Sequence, residues 1–186
     1  MVTTLVRAID KLNARIGATV AWFVLAMVLV QFAVVVMRYV FGVSSLFMQE
    51  SIVYLHGTMF MLGSAYTLLH DGHVRVDVFY REASPRHKAK IDLAGNLLLL
   101  IPVCALIFTY SWSYVASAWR SLEGSVETSG IPAVFLLKTV ILVFCGLMIL
   151  QGLSQALKAL LVLNGTFNPD DAYPEQSAPA DDRTAS

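Results

Sequence analysis

Four long runs without a charged side chain constrain this sequence more than any other feature. They are residues 16–37, 51–70, 93–119 and 131–157, the last with Lys138 as its single charge. Crossing a hydrocarbon core of about 30 Å takes about 20 apolar residues in a helix, and there every backbone polar group must be paired within its own segment. The sequence therefore predicts an all-α integral membrane protein with four transmembrane helices. We place the spans at about residues 16–41, 51–70, 90–119 and 131–158.

Local signals refine the start of two helices. Ser84-Pro85 is a typical N-cap followed by proline in the first helical position, so the third helix should begin inside the loop that precedes its span. The segment Ser129-Gly130-Ile131-Pro132 marks the start of the fourth helix in a similar way.

The distribution of Lys and Arg predicts the orientation in the membrane. Residues 1–15 carry three basic side chains and residues 71–92 carry five, whereas the two other loops carry one each. Because basic loops stay in the cytoplasm, we expect both termini to be cytoplasmic. The chain then divides into a cytoplasmic N-terminal segment (1–15), a four-helix membrane domain (16–163) and an acidic cytoplasmic tail (164–186). The tail should be disordered, since it has too little apolar surface to stabilise a fold.

Composition and motifs contain no signal for catalysis. Thirteen Lys and Arg residues balance thirteen Asp and Glu residues, so there is no basic surface for a nucleic acid. Cys104 and Cys145 lie inside apolar runs without a CxxC spacing, which indicates buried small side chains. No set of nucleophile and base and no glycine-rich phosphate loop can be assembled. We therefore predict no catalytic residue, no cofactor and no metal.

The histidines leave two other interpretations open. His56 and His70 lie in one span, fourteen residues apart, which would put both rings on one helix face about 21 Å apart. That spacing would suit a haem-binding membrane anchor of a redox complex, although the other spans contain no histidine. His70 and His73 have the HxxH spacing of a metal motif, but Gly72 should end the helix between them. A self-sufficient homo-oligomeric transporter is a further alternative, and it would need a carboxylate inside a span.

Charged residues near the span ends have local explanations. Glu50 opens the second helix, where a carboxylate is favoured by the helix dipole. Lys138 lies about two turns into the fourth helix. Its long side chain either extends to the headgroup region or pairs with Glu123 or Glu127 in the preceding loop.

Four short motifs occur in order along the chain. They are Arg38-Tyr39-Val40-Phe41-Gly42 after the first span, Gln49-Glu50 before the second, Leu62-Gly63-Ser64-Ala65 within it and His73-Val74-Arg75-Val76-Asp77 after it. Together with the four spans, this set resembles the small permease subunit, of the Q type, of TRAP (tripartite ATP-independent periplasmic) transporters over about residues 10–160. The family often has two acids where this chain has Gln49-Glu50, so only the second acid is present here.

The resemblance implies a non-catalytic, multi-pass subunit of the bacterial inner membrane, surrounded by membrane lipid. Such a subunit binds a large multi-span permease subunit, which carries the substrate and sodium sites. A periplasmic binding protein delivers the substrate, usually an organic acid anion. Candidate subunit contacts are the motif residues Arg38, Glu50, Gly63, His73, Arg75 and Asp77. The outer loops at 43–49 and 121–130 are candidates for docking of the binding protein, with Glu123 and Glu127 in the second.

Overall fold

The computed structural model describes residues 2–73 and 84–166, and these are helical apart from short loops. The helices are α1 (Val2–Val40), α2 (Leu46–Leu69), α3 (Pro85–Gly95), a π-helical segment (Asn96–Leu100), α4 (Ile101–Ser121) and α5 (Val134–Leu163). Since α3, the π-helical segment and α4 follow one another without a break, they form one continuous helix. The described part of the chain thus holds four helices long and apolar enough to cross a membrane, and the predicted all-α membrane architecture is confirmed.

α1 begins well before the predicted first span. It has 39 residues, which at 1.5 Å per residue gives about 58 Å, nearly twice the thickness of a hydrocarbon core. The sequence predicts residues 1–15 as a segment separate from the membrane domain. In the structure residues 2–15 continue the helix, because Val6, Ile9 and Asn13 bury one face of it.

The starts of α3 and α5 differ in how well the sequence marks them. α3 begins at Pro85 with Ser84 in the N-cap position, where Ser84-Pro85 predicted it. α5 begins at Val134, three residues after the predicted start of its span. Residues 131–133 stay in the loop because the Ile131 N–H donates to the Glu50 carboxylate (2.6 Å) and the Ala133 N–H donates to the Ile131 carbonyl (2.9 Å).

α5 lies at the centre of the bundle and contacts every other helix. Cys104 of α4 and Cys145 of α5 belong to the main apolar cluster as buried free thiols, as the sequence predicted. We call the end of the bundle with the 41–45 and 122–133 loops the loop end. The opposite end, where α1 begins and α5 finishes, is the terminal end.

α1 and α2 pack along each other as an antiparallel hairpin. The Tyr66 side chain covers Gly17, and a Cβ atom at Gly17 would overlap the Tyr66 ring. Small residues allow this kind of close approach between membrane helices. Only 6% of the most apolar window of each helix is buried, so the hairpin presents a wide apolar surface to the outside of the chain.

Candidate subunit-contact sites

Glu50 ties the 122–133 loop to the first turns of α2. Its Oε1 accepts a hydrogen bond from the Ser125 hydroxyl (2.5 Å), and its Oε2 accepts one from the Ile131 N–H (2.6 Å). Gly130 leaves room for this contact, because a Cβ atom there would overlap the Ser125 side chain and lie 2.7 Å from Glu50 Oε1. Hydrogen bonds to a carboxylate are about twice as strong as neutral ones. Glu50 therefore holds a distant loop. It does not open α2 as predicted, because the helix begins at Leu46 with Ser45 as its N-cap and has no acidic residue in its first turn.

Lys138 fastens the same loop from α5. Its Nζ lies 2.7 and 2.6 Å from the two carboxylate oxygens of Glu123 and 4.0 Å from the centre of the Tyr114 ring. Of the two acidic partners that the sequence left open, the structure selects Glu123. A second link follows one turn away, where the Trp119 indole N–H donates to the Thr139 hydroxyl (2.8 Å).

The middle of the 122–133 loop projects away from the bundle. Val126 is fully exposed and Glu127 is exposed beside it. The backbone stays ordered there, since the Glu127 N–H donates to Ser125 Oγ (3.2 Å). The two docking candidates therefore differ in their availability to a partner. The Glu123 carboxylate is paired with Lys138, whereas the Glu127 side chain is exposed at the loop end.

A buried polar network joins α1 to α5 at the terminal end. Asp10 Oδ1 accepts hydrogen bonds from the Ser154 hydroxyl (2.8 Å) and the Gln151 side-chain amide (3.2 Å), and Asp10 Oδ2 lies 2.7 Å from Lys158 Nζ. Asn13 donates to Gln151 Oε1 (2.7 Å). The Gln151 and Ser154 side chains are fully buried. We refer to these five residues as the Asp10 network.

The Asp10 network is not among the features predicted from the sequence, although α5 carries a signal for it. Gln151, Ser154 and Lys158 recur at helical spacing near the end of a run that is otherwise almost wholly apolar. Residues three and four apart share a helix face, and buried polar groups require hydrogen-bond partners. A polar stripe of this kind therefore indicates a polar partner on another helix, but it does not say which.

Gln155, on the same helix, connects two further elements. Its Nε2 donates to the Leu68 carbonyl at the end of α2 (2.7 Å), and its Oε1 accepts from the Asn96 side chain (3.4 Å). Asn96 opens the π-helical segment and also donates to the Asp92 carbonyl (2.7 Å). The terminal end of α2, the π-helical segment and α5 are therefore held together by side-chain amides.

The family-motif residues do not gather into one site. From the loop end to the terminal end, the described ones are Arg38, Glu50, Gly63 and His73. Gly63 lies in the hairpin contact, where a Cβ atom would be 3.9 Å from Val20. The other two candidates, Arg75 and Asp77, lie outside the described residues, as do residues 167–186 of the predicted tail.

The histidines contact aromatic neighbours on their own helix. His70 Nδ1 lies 3.0 Å from the Tyr66 carbonyl oxygen, and the two rings are 4.1 Å apart. The His56 ring stacks parallel to Phe60 at 6.3 Å. Within residues 2–73 and 84–166, no group of three or more His, Cys, Asp or Glu side chains could hold a metal ion.

A family comparison covers most of the chain. The protein-family model described as "Tripartite ATP-independent periplasmic transporters, DctQ component" matches residues 8–162 of this chain. That range includes the Asp10 network, both loops of the loop end and nearly all of the membrane helices. Searches of curated proteins and of solved structures gave no match. The chain therefore belongs to the DctQ family, the small permease subunits of TRAP transporters.

Proposed function

We propose that this TRAP small subunit is a non-catalytic brace for a large permease subunit. The large subunit would perform sodium-coupled uptake of an organic acid anion, which a periplasmic binding protein delivers. The observation that supports this role most directly is the fastening of the bundle at both ends. Glu50 ties α2 to the loop before α5, and Asp10 ties α1 to α5.

These contacts favour a subunit that moves as one body. Hydrogen bonds that involve a charged group are about twice as strong as neutral ones, and a buried donor left without its partner, such as the Ser154 hydroxyl, costs about 1–3 kcal/mol. A helix that slid along its neighbours during transport would have to break several of them at once. A rigid bundle with a wide apolar outer surface is suited to stay in place in the membrane beside a partner that moves.

We further propose that the terminal end faces the cytoplasm of a bacterial cell and the loop end faces the periplasm. Exposed basic residues support this orientation, since Arg7, Lys11 and Arg15 all lie on the first four turns of α1. A single cysteine at the fully exposed Val126 reports the side, because the native thiols are buried. Labelling of Val126→Cys in intact spheroplasts by a membrane-impermeant maleimide is expected, whereas Thr4→Cys should react only after permeabilisation. The reverse pattern would overturn the orientation.

Docking of the binding protein is proposed at the 122–133 loop, with Glu127 as its accessible charge. Glu127→Lys is expected to slow association with the binding protein several-fold at low salt and to have little effect at high salt, because charges at a rim act mainly on encounter rates. Association rates on reconstituted complexes measure this. Thr128→Ala, next to it, is the control. A Glu127→Lys complex that associates at the wild-type rate at every salt concentration would rule out this contact.

Reconstitution tests the proposed function itself. Liposomes that contain the large permease subunit and this chain, supplied with the binding protein and a sodium gradient, are expected to take up substrate. Liposomes with this chain alone should show no uptake under the same conditions. Uptake by this chain alone would replace the brace with a self-sufficient transporter.

A further inference from the structure

Two polar side chains face outward from the α1–α2 hairpin inside the membrane-spanning region. Gln31 and His56 are both exposed, and each lies in a charge-free run. Gln31 precedes Arg38 by seven residues and His56 follows Glu50 by six, so each is about 10 Å of helix away from the charge that marks its loop end. In a hydrocarbon core of about 30 Å, both therefore lie at the depth of the lipid tails.

Neither group has a hydrogen-bond partner among the described residues. The Gln31 amide and the His56 ring make no side-chain hydrogen bond within residues 2–73 and 84–166, and the His56 ring stacks on Phe60. Lipid tails offer neither donors nor acceptors, and an unpaired amide or imidazole in hydrocarbon is costly. A polar group at this depth on an outer face therefore indicates a protein partner with polar atoms of its own.

The surface around these groups has the shape of a helix-packing site. A groove of about 490 Å³ runs along the hairpin, lined by Met27, Val28, Gln31, Phe32, Val35 and Ile52. Ile52 lies one turn from His56, so the histidine continues the groove along α2. Exposed Val28 (59%) and Val53 (60%) flank the polar pair. The walls are apolar, and Gln31 is the polar member of the lining.

We infer that this groove at Gln31, together with the adjoining stretch of α2 that carries His56, is the surface against which the large permease subunit packs. The partner would contribute a membrane helix whose polar side chain or unpaired backbone carbonyl bonds to Gln31 and His56. The inference rests on the proposed function, and it adds which helices face the large subunit. Because an interhelical hydrogen bond in a membrane changes a dissociation constant by roughly three- to tenfold, removal of both should be measurable.

Photo-crosslinking in native membranes tests where the partner lies. A benzophenone side chain is placed at Val28 or Val53, and at Tyr110 of α4 as the exposed control (79%). The expected result is a covalent adduct with the large subunit from Val28 and Val53 and none from Tyr110. Adducts only with lipid or with a second copy of this chain, or adducts with the large subunit from Tyr110 alone, would overturn the inference.

Substitution of the polar pair tests the chemistry of the contact. In the Gln31→Leu/His56→Leu double variant, the complex with the large subunit should dissociate at least tenfold faster in mild detergent. The isolated subunit should unfold at the same temperature as the wild type or higher, since an exposed unpaired polar group has been replaced by an apolar one. Leu106→Ala on α4, where the side chain is exposed (57%), provides a control that should dissociate at the wild-type rate. If the double variant dissociated at the wild-type rate, the inference about this groove would be wrong. Co-purification of the wild-type chain with the large subunit would still support the proposed brace in that case. A complete absence of the large subunit from wild-type purifications would instead refute the proposed function.

Discussion

Replacing Asp10 with alanine is expected to lower the unfolding temperature of the purified subunit by about 5–10 °C. The substitution leaves the Ser154 hydroxyl and the Gln151 amide without their acceptor, and both side chains are fully buried. A buried donor left unpaired costs about 1–3 kcal/mol, and 1 kcal/mol shifts the midpoint by about 2–4 °C in a chain of this size. The Lys158 contribution is smaller, because its side chain is 25% exposed and can turn toward the headgroups.

Asp10→Asn separates the hydrogen bonds from the charge. Asparagine keeps an oxygen for Ser154 and Gln151 but loses the ion pair with the partly exposed Lys158, which is worth about 1 kcal/mol or less. We therefore expect Asp10→Asn to unfold close to the wild type in the same detergent scan. If Asp10→Ala and Asp10→Asn lowered the midpoint equally, the charge would dominate and the buried hydrogen bonds would not be the main source of stability.

Gly17→Ala is the second substitution with a large expected effect. An added Cβ atom would overlap the first atoms of the Tyr66 side chain, and these cannot move without shifting α2. Overpacking at such a contact costs about 1–3 kcal/mol. The Tyr66 ring also lies against the His70 ring in a tilted arrangement, so the terminal end of α2 should be disturbed as well. We expect Gly17→Ala to lower the unfolding temperature in a thermal scan and to speed cleavage of the hairpin in limited proteolysis.

Gly146→Ala gives the matched control for that experiment. Gly146 lies in α5, and no heavy atom comes within 4 Å of the position that a Cβ atom would take. Alanine is favoured over glycine in a helix by about 1 kcal/mol, so this variant should be as stable as the wild type or more stable. Equal destabilisation by the two substitutions would mean that the hairpin contact at Gly17 is looser than its geometry indicates.

The membrane architecture could be predicted from the sequence because hydrocarbon imposes a simple rule. Runs without charge, bounded by Arg15, Arg38, Glu50 or Arg120, had to become helices long enough to cross. Ser84-Pro85 marked the start of α3 through the fixed backbone of proline. These signals are local, and each acts within a few residues of the boundary it sets.

Other features could not be predicted because they depend on distant parts of the chain. Residues 2–15 are too polar for a membrane span, and their helix is stabilised by contacts with α5 that no local pattern encodes. The start of α5 moved to Val134 because Glu50, far away in sequence, captures the Ile131 N–H. The lack of a partner for Gln31 within the described chain became visible only once the helices were packed.

The long sequence separations within the Asp10 network also set the order in which the parts of the subunit can assemble. Its hydrogen bonds join residues 138 to 144 positions apart. The contacts of α1 at the terminal end therefore cannot form until α5, the last helix, is in place. Contacts of such long sequence separation form late and slowly, and until then Asp10 and Asn13 lack their native partners. A chain interrupted anywhere before α5 would therefore keep these polar groups exposed, a feature by which membrane quality-control proteases could distinguish an incomplete subunit from a finished one.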